Sequence, residues 1–212
     1  ADLRAGHLET LLVVRGDTNG NGAVRNLRLR GLTFTETDWS LPPEGEADMQ
    51  AAHASRAAVR LTDTEDCVIE DCTFVRLSGY AVELGRGCRR DQIVGCEFAH
   101  LGAGGIRIGE ASASAAPADA VHGHVIADNR LHHLGEVWPG GVGVLIRQSG
   151  TNRIVHNEIH HTAYTAIGVG WTWGYHDSPC RENEIAGNHL HDIGQARLSD
   201  LGAIYTLGPQ PG

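Results

Sequence analysis

The sequence contains no lysine. All 17 of its basic residues are arginine, against 26 acidic ones, and the formal charge is −9. No basic run occurs, so the electrostatic footprint of a nucleic-acid or anionic-membrane binder is missing. Long apolar runs are missing too, and stretches such as Leu11 to Val14 fall far short of a membrane span. No charged-then-apolar leader opens the chain. Aromatic residues make up only 5%. The five cysteines, Cys67, Cys72, Cys88, Cys96 and Cys180, are odd in number and show neither CxxC nor zinc-ligand spacing. That argues against a disulfide framework, and they read as small buried apolar residues. Glycine is plentiful at 28 of 212 residues, well above its usual share. The mix points away from helical bundles and towards many turns in one domain over residues 1–212.

Internal repetition decides the architecture. The segment Cys67-Val-Ile-Glu-Asp-Cys72-Thr-Phe74 recurs as Gln92 to Phe98, Val125 to Leu131, Arg153 to Ile159 and Glu184 to Leu190, with a weaker first copy at Leu27 to Phe34. One column therefore reads Leu32, Cys72, Cys96, Asn129, Asn157, Asn188. A second segment alternates apolar and outward residues with period two, the mark of a half-buried strand. Its inward positions Val59, Val82, Ile106, Val144, Ile167 and Ile204 are spaced 23, 24, 38, 23 and 37. Three intervals are the bare repeat, and two carry an insertion.

So short a unit cannot bury its own apolar face, whereas stacking copies in parallel does so and pairs every strand. These patterns predict an all-β chain folded as a right-handed parallel β-helix, a pectate-lyase-like solenoid of about six to seven coils. Asparagine amides are expected to bond from coil to coil. Insertions are expected near 36–57, 110–120 and 171–182. No amphipathic cap helix is evident at either end, so the chain is expected to be an excerpt of a longer protein, truncated at both ends.

The outward residues of the second segment form columns. One reads Arg60, Glu83, Arg107, Leu145, Gly168, Tyr205, and three places further run Asp63, Arg86, Glu110, Gln148, Trp171, Gly208. They fit either cross-strand charge pairing on a solvated face or a groove suited to a polyhydroxylated or acidic sugar. The last insertion carries Trp171, Trp173 and Tyr175, either a platform for sugar rings or a lid folded back on the helix. His132, His160 and His191 align, with His100, His133, His161 and Asp192 beside them. Metal ligands converge on a point while these columns run along an axis, so stacked turn residues are expected and no metal or cofactor. Asp200, just before a strand on an inserted stretch, is a candidate catalytic carboxylate or a turn cap.

Thr33-Phe-Thr-Glu-Thr-Asp-Trp-Ser-Leu-Pro-Pro-Glu44, Ala81 to Cys88, Gly168-Val-Gly-Trp-Thr-Trp-Gly-Tyr175 and Leu198-Ser-Asp-Leu-Gly-Ala-Ile-Tyr-Thr-Leu-Gly-Pro-Gln-Pro-Gly212 carry a family likeness. Across nearly the whole chain the sequence resembles bacterial right-handed β-helix proteins of glycoside hydrolase family 141, which includes α-L-fucosidase and xylanase activities. The resemblance implies an extracellular or periplasmic enzyme that cuts plant cell-wall glycans with a pair of carboxylates. It assigns a catalytic role to Asp200, with a partner acid on a coil beyond Gly212; should the pair be complete within this chain, Glu83 and Glu110 are the next candidates. Arg60, Arg107, Arg147, Gln148, Trp171, Trp173, Tyr175 and Tyr205 are the expected sugar-binding residues. Two alternatives stand beside the hydrolase. One is a polysaccharide lyase in which Arg60, Arg107 and Arg147 neutralise a uronate carboxylate. The other is a non-catalytic carbohydrate-binding or structural β-helix. The expected partner is a poly- or oligosaccharide, not nucleic acid or membrane.

Overall fold

The computed structural model describes residues 5–17, 22–41, 43–45, 48 and 50–211. Pro42 and Gly212 of the family-like motifs, and Glu46, Ala47 and Met49 of the first insertion, lie outside them. The apolar alternation of the repeats becomes three long parallel sheets wrapped around one core, with a fourth of two short strands, Val24–Arg25 and Thr64–Glu65. The first sheet has seven strands: Leu12–Arg15, Ala57–Thr62, Tyr80–Leu84, Ile106–Ile108, Val144–Ile146, Ile167–Val169 and Ile204–Thr206. The second has Arg28–Arg30, Val68–Glu70, Gln92–Val94, Val125–Ala127, Arg153–Val155 and Glu184–Ala186. The third has Thr33–Thr35, Thr73–Leu77, Glu97–Leu101, Arg130–Leu134, Glu158–Thr162 and His189–His191. The chain visits the sheets in that order on each turn, which makes six full coils and the opening strand of a seventh, the expected parallel β-helix. A 3₁₀ turn, Pro117–Asp119, sits in the second insertion. Among the described residues no helix is long and apolar enough to cross a membrane.

The register is the one the repeat demands. Val82 lies between Val59 and Ile106, Val144 between Ile106 and Ile167, and Ile204 follows Ile167. Identical or similar side chains thus stack along the axis, and inward Ile, Val, Leu and Phe fill a continuous core. Phe74 stacks on Phe34 and Phe98 with ring centroids 5.0 and 4.7 Å apart, one strand spacing. All five cysteines are free and buried. Burial pushes the Cys88 and Cys96 thiols up to about 12, so they behave as small apolar residues.

Two corners of the helix are pinned by side-chain ladders. At the corner between the second and third sheets, the Cys96 amide donates to Asn129 Oδ1 (2.9 Å), that of Asn129 to Asn157 Oδ1 (3.1 Å), and that of Asn157 to Asn188 Oδ1 (2.9 Å). The column expected from the sequence is therefore a ladder. A second ladder, at the corner between the first and second sheets, runs through Cys67, Asp91, His124, Asn152 and Asn183. Its varied chemistry hid it from sequence inspection. Every rung follows a residue at positive φ, for example Asp71 (50°), Asp128 (55°) and His156 (58°) before one ladder. Such a bend turns the next amide inward, and Gly, Asn and Asp accept it most readily.

A third left-handed column, Glu36, Arg76, His100, His133, His161 and Asp192, lies within or just after the third-sheet strands. It breaks the strict alternation, so that His132 and His133 lie side by side, Nδ1 to Nδ1 at 2.7 Å, as do His160 and His161 at 2.6 Å. Rings stack along the axis: His132 on His160, His160 on His191 and His133 on His161, at 5.0, 4.7 and 4.9 Å.

Candidate functional site

The insertions leave the coil on both sides of the first sheet. Residues 36–56, 135–143 and 192–203 connect the third sheet to the first, and 109–124 and 170–183 connect the first to the second. The outer face of the first sheet is thus walled along both edges. The first insertion crosses over it. Ala52 N–H donates to Gly140 O (2.8 Å), and Gln50 Nε2 donates to the Tyr164 hydroxyl (2.8 Å). Ala51 packs on Val142, Leu145, Tyr164 and Trp171.

That crossing covers much of the outward column read as a solvated face or open groove. Glu83, Arg107, Leu145 and Arg147 are buried. Glu83 sits between Arg60 and Arg107 as the register requires. Its Oε2 meets Arg60 Nε at 2.9 Å and Arg107 Nη2 at 3.1 Å, and Arg147 Nη2 lies 3.9 Å from Oε1. Burial alone would raise the Glu83 carboxyl, but the three guanidiniums outweigh it and hold the group below the usual glutamate range. An acid so held stays ionised, which suits an anchor and not a proton donor. Arg107 also donates to His53 O and, at 2.8 Å, to Ser55 O, and so tethers the first insertion. Arg147 donates to Gly109 O. Burial, reinforced by the charge of Arg107, brings Arg147 down to about 10, still a cation at neutral pH. His53, Arg56, Arg60, Arg107, Arg147 and Glu110 border an open cavity of about 460 Å³.

Glu110 accepts the Arg86 amide N–H at 2.8 Å, while the Arg86 guanidinium turns to Asp63 and Asp119 at 2.6 and 2.9 Å. Glu110 borders both the arginine cavity and a second one of about 350 Å³ that includes Gln148, Thr151 and Arg181. Gln148 Nε2 donates to Trp171 O (2.9 Å) and Thr172 Oγ1 (3.1 Å) and so fixes the base of the last insertion.

The aromatic insertion divides. Trp171, an expected sugar-binding residue read as either platform or lid, is only 7% exposed and packs on Val142, Leu145 and Tyr164. Its ring lies 4.8 Å from that of His53. The lid reading holds for Trp171, because the first insertion arrives to cover it. Trp173 stands edge-on to it at 5.0 Å and is 44% exposed, and Tyr175 is fully exposed. Those two retain the geometry of a platform.

Asp200 is exposed in the loop between His189–His191 and Ile204–Thr206, at φ 58°. The Tyr205 hydroxyl donates to both of its carboxylate oxygens at 3.2 Å, and Tyr164 Oη donates to its backbone carbonyl at 2.7 Å. Burial and the hydrogen bond to Asp200 raise the Tyr205 hydroxyl above its ordinary range, so it remains a donor. Asp200 lines a cavity of about 520 Å³ together with Asp48, Gln50, Trp138 and Tyr164. Glu83 and Glu110 lie on the arginine cavity and not on this one. Asp48 Oδ1 is 3.2 Å from His53 Nε2, and His53 also borders the arginine cavity, so the imidazole sits between the two. Burial lowers the His53 pKa against the pull of Asp48, with Arg147 and Arg107 adding to the drop. Asp48 was visible in the sequence only as an acidic residue of the first insertion, and Trp138 lies on a connection that the repeat spacing merges with the interval from Ile106 to Val144.

A family model described as a right-handed beta helix region matches residues 57–203. No curated protein matches the chain. A solved structure titled "Glycoside hydrolase" superposes with a TM-score of 0.86 at 22% identity. The superposition covers 98% of this chain and 41% of the other, so this chain spans about two fifths of that protein's length.

Proposed function

Because the chain belongs to the right-handed β-helix family and gathers two carboxylates in one cavity beside its first sheet, we propose that it is a carbohydrate-active protein, a glycoside hydrolase whose reacting acids are Asp200 and Asp48. The observation that carries this reading is the shared cavity of Asp48 and Asp200, bordered by Trp138 and Tyr164. Glycoside hydrolysis uses one carboxyl group as proton donor and another as nucleophile or base. Asp200, with both oxygens under the Tyr205 hydroxyl, is held as the nucleophile or base. Asp48, beside His53, is its complement, and the imidazole is placed to exchange the proton. Trp138 offers an apolar face to a sugar ring, and Trp173 and Tyr175 extend the aromatic surface. The likeness to a structure titled glycoside hydrolase supports the reading, and plant cell-wall glycans, outside the cytoplasm, are the substrate class that the sequence resemblance implies.

The lyase alternative draws on the arginine cavity, but Arg107 and Arg147 already serve Glu83 and backbone carbonyls. Only Arg60 keeps a substantially exposed guanidinium among the three. The test is mass spectrometry of products from fucosylated, xylan and pectic oligosaccharides, with Asp200→Asn and Asp48→Asn in parallel. Fragments that together gain one water, lost in both folded variants, are the expected result. Unsaturated fragments would move the protein to the lyases. Intact glycan retained by the protein would make it a binding module.

A further inference from the structure

The third sheet carries a chemistry that the proposed hydrolase site leaves unused. Its outward positions stack by register: Glu97, Arg130, Glu158 and His189 in one column, and Ala99, His132, His160 and His191 in the next. Only the last coil places histidines at both positions, two residues apart on one face of a strand. Glu158 is the direct neighbour of His189. Here His191 keeps its axial stacking on His160, and His189 and Glu158 converge on it. Glu158 Oε1 lies 3.5 Å from His191 Nε2 and 3.9 Å from His189 Nδ1. One donor atom from each of the three residues falls within 4.8 Å of the others.

The surroundings orient each donor. The other oxygen of Glu158, Oε2, accepts from Arg130 Nε at 3.1 Å, which leaves Oε1 turned to the two imidazoles. His191 is bonded through Nδ1 to Asp192 Oδ2 at 2.8 Å. The Asp192 carboxylate holds the ring through Nδ1 and directs Nε2 at Glu158 Oε1, 3.5 Å away, the orientation of a carboxylate–histidine–metal triad. Asp192 can reach back because its φ of 48° kinks the chain just after the strand. A tetrahedral ion with bonds of about 2.0–2.1 Å needs neighbouring ligand atoms about 3.3 Å apart. Small rotations of these solvent-accessible side chains meet that requirement, and the open side leaves room for a water ligand.

We propose that Glu158 Oε1, His189 Nδ1 and His191 Nε2 form a binding site for a divalent transition-metal ion of the zinc class, with Asp192 and Arg130 as orienting residues. Two imidazoles and one carboxylate oxygen suit that class and not calcium or magnesium, which take oxygen ligands. The ion would tie the strand Glu158–Thr162 to His189–His191 and so staple two successive coils. The other histidines of this face lack the convergence. His132, for instance, meets Glu97 at 2.7 Å, but Arg130 stands where the second imidazole would be required.

Calorimetric titration of the chelator-treated protein with zinc chloride tests the site, with cobalt(II) as a spectroscopic stand-in. One ion per chain is expected, with a visible cobalt band typical of low coordination number. His189→Ala should weaken binding by tenfold or more. Asp192→Asn should weaken it by about tenfold without abolishing it, as an orienting residue does. His133→Ala should leave it unchanged. His189 and Asp192 are exposed and His133 is half-buried, all outside the apolar core, so the variants should fold, and circular dichroism checks this. The proposal is overturned by absence of saturable zinc binding, by unchanged affinity in His189→Ala, or by a loss in His133→Ala equal to that in His189→Ala.

Discussion

The Arg107 guanidinium and the Glu83 carboxylate meet at 3.1 Å across adjacent strands of the first sheet, both buried beneath the first insertion. Arg107 reaches on to His53 O and Ser55 O, so one ion pair joins the sheet to the loop that covers it. The loop in turn supplies Asp48 to the cavity of Asp200. The charged column is thus a foundation for the proposed site, one step removed from its chemistry.

Glu83→Gln should therefore unfold more readily, because it leaves Arg107 and Arg147 buried without their counter-charge. Breaking one side of such a cluster costs about 3–5 kcal/mol, whereas Arg60→Ala, at the exposed edge, should cost under about 1 kcal/mol. Urea unfolding at neutral pH measures both. The Glu83 carboxyl is held below its ordinary range in the folded protein. Its stabilisation is present above the ordinary glutamate pKa and is lost as pH falls through the folded value.

The columns were legible because a period of two and a repeat of 23 or 24 fix which side chains share a face and which share a height. Val59, Val82 and Ile106 could be placed in register from their numbers alone, as could Glu83 between two arginines. The path of an insertion has no such period. Nothing in the sequence shows that Ala51 and His53 come to lie against Trp171, so the choice between platform and lid stayed open for that ring. The meeting of Asp48 with Asp200 depends on two loop paths at once. The corner ladder through Cys67, Asp91, His124 and Asn152 was hidden for another reason: four different side chains do one job there, offering an acceptor or small apolar group to a neighbouring amide.

Acid should test that second ladder. His124 is buried, and its Nδ1 accepts the Asp91 amide N–H at 3.1 Å, so the ring is neutral. Burial drives its pKa down to about 3. The unfolded chain takes up this proton near pH 6.5, so stability falls as pH drops from about 6.5 towards 3. The cost is about 2 kcal/mol at pH 5. Asp91 acts the other way: burial raises it to about 6, and its protonation in the folded state returns part of the loss below that pH. His124→Asn would continue the asparagines of Asn152 and Asn183 with a group that does not titrate. Relative to wild type, the variant should gain about 2 kcal/mol between pH 8 and pH 5, read from denaturant midpoints at the two pH values. An unchanged difference would contradict a buried neutral imidazole.

The two tryptophans of the last insertion should separate packing from binding. Trp171→Ala removes a buried side chain from the cluster with Val142, Leu145 and Tyr164 and should cost about 3–5 kcal/mol. Trp173→Ala removes a half-exposed ring and should cost under about 1 kcal/mol, mainly its edge contact with Trp171. Affinity electrophoresis in gels containing xylan or pectin should show weaker retention for Trp173→Ala and Tyr175→Ala, with their unfolding midpoints near wild type. Equal loss of stability in Trp171→Ala and Trp173→Ala would mean that both rings serve as lid.

Asn157 occupies the centre of the other ladder. Its Oδ1 accepts the Asn129 amide N–H at 3.1 Å and Asn129 Nδ2 at 2.9 Å. Its Nδ2 donates to Ile126 O, Val155 O and Asn188 Oδ1 at 2.9, 3.1 and 2.9 Å. Asn157→Ala strands several buried polar groups and should cost about 2–4 kcal/mol, near the sum of one or two unsatisfied partners. Asn157→Asp keeps the shape but turns an acceptor towards three acceptors, so at neutral pH it should be less stable than Asn157→Ala. The introduced carboxylate titrates above its ordinary range in that setting. The folded state then binds its proton more readily than the unfolded one, and part of the lost stability returns as pH falls through the raised value. Asn188→Ala, at the less buried end of the ladder, should cost less than Asn157→Ala, since water can reach the groups it leaves. Denaturation of the three variants at pH 7.5 and pH 5 orders them, and an Asn188→Ala cost equal to that of Asn157→Ala would show that the ladder's strength does not depend on burial.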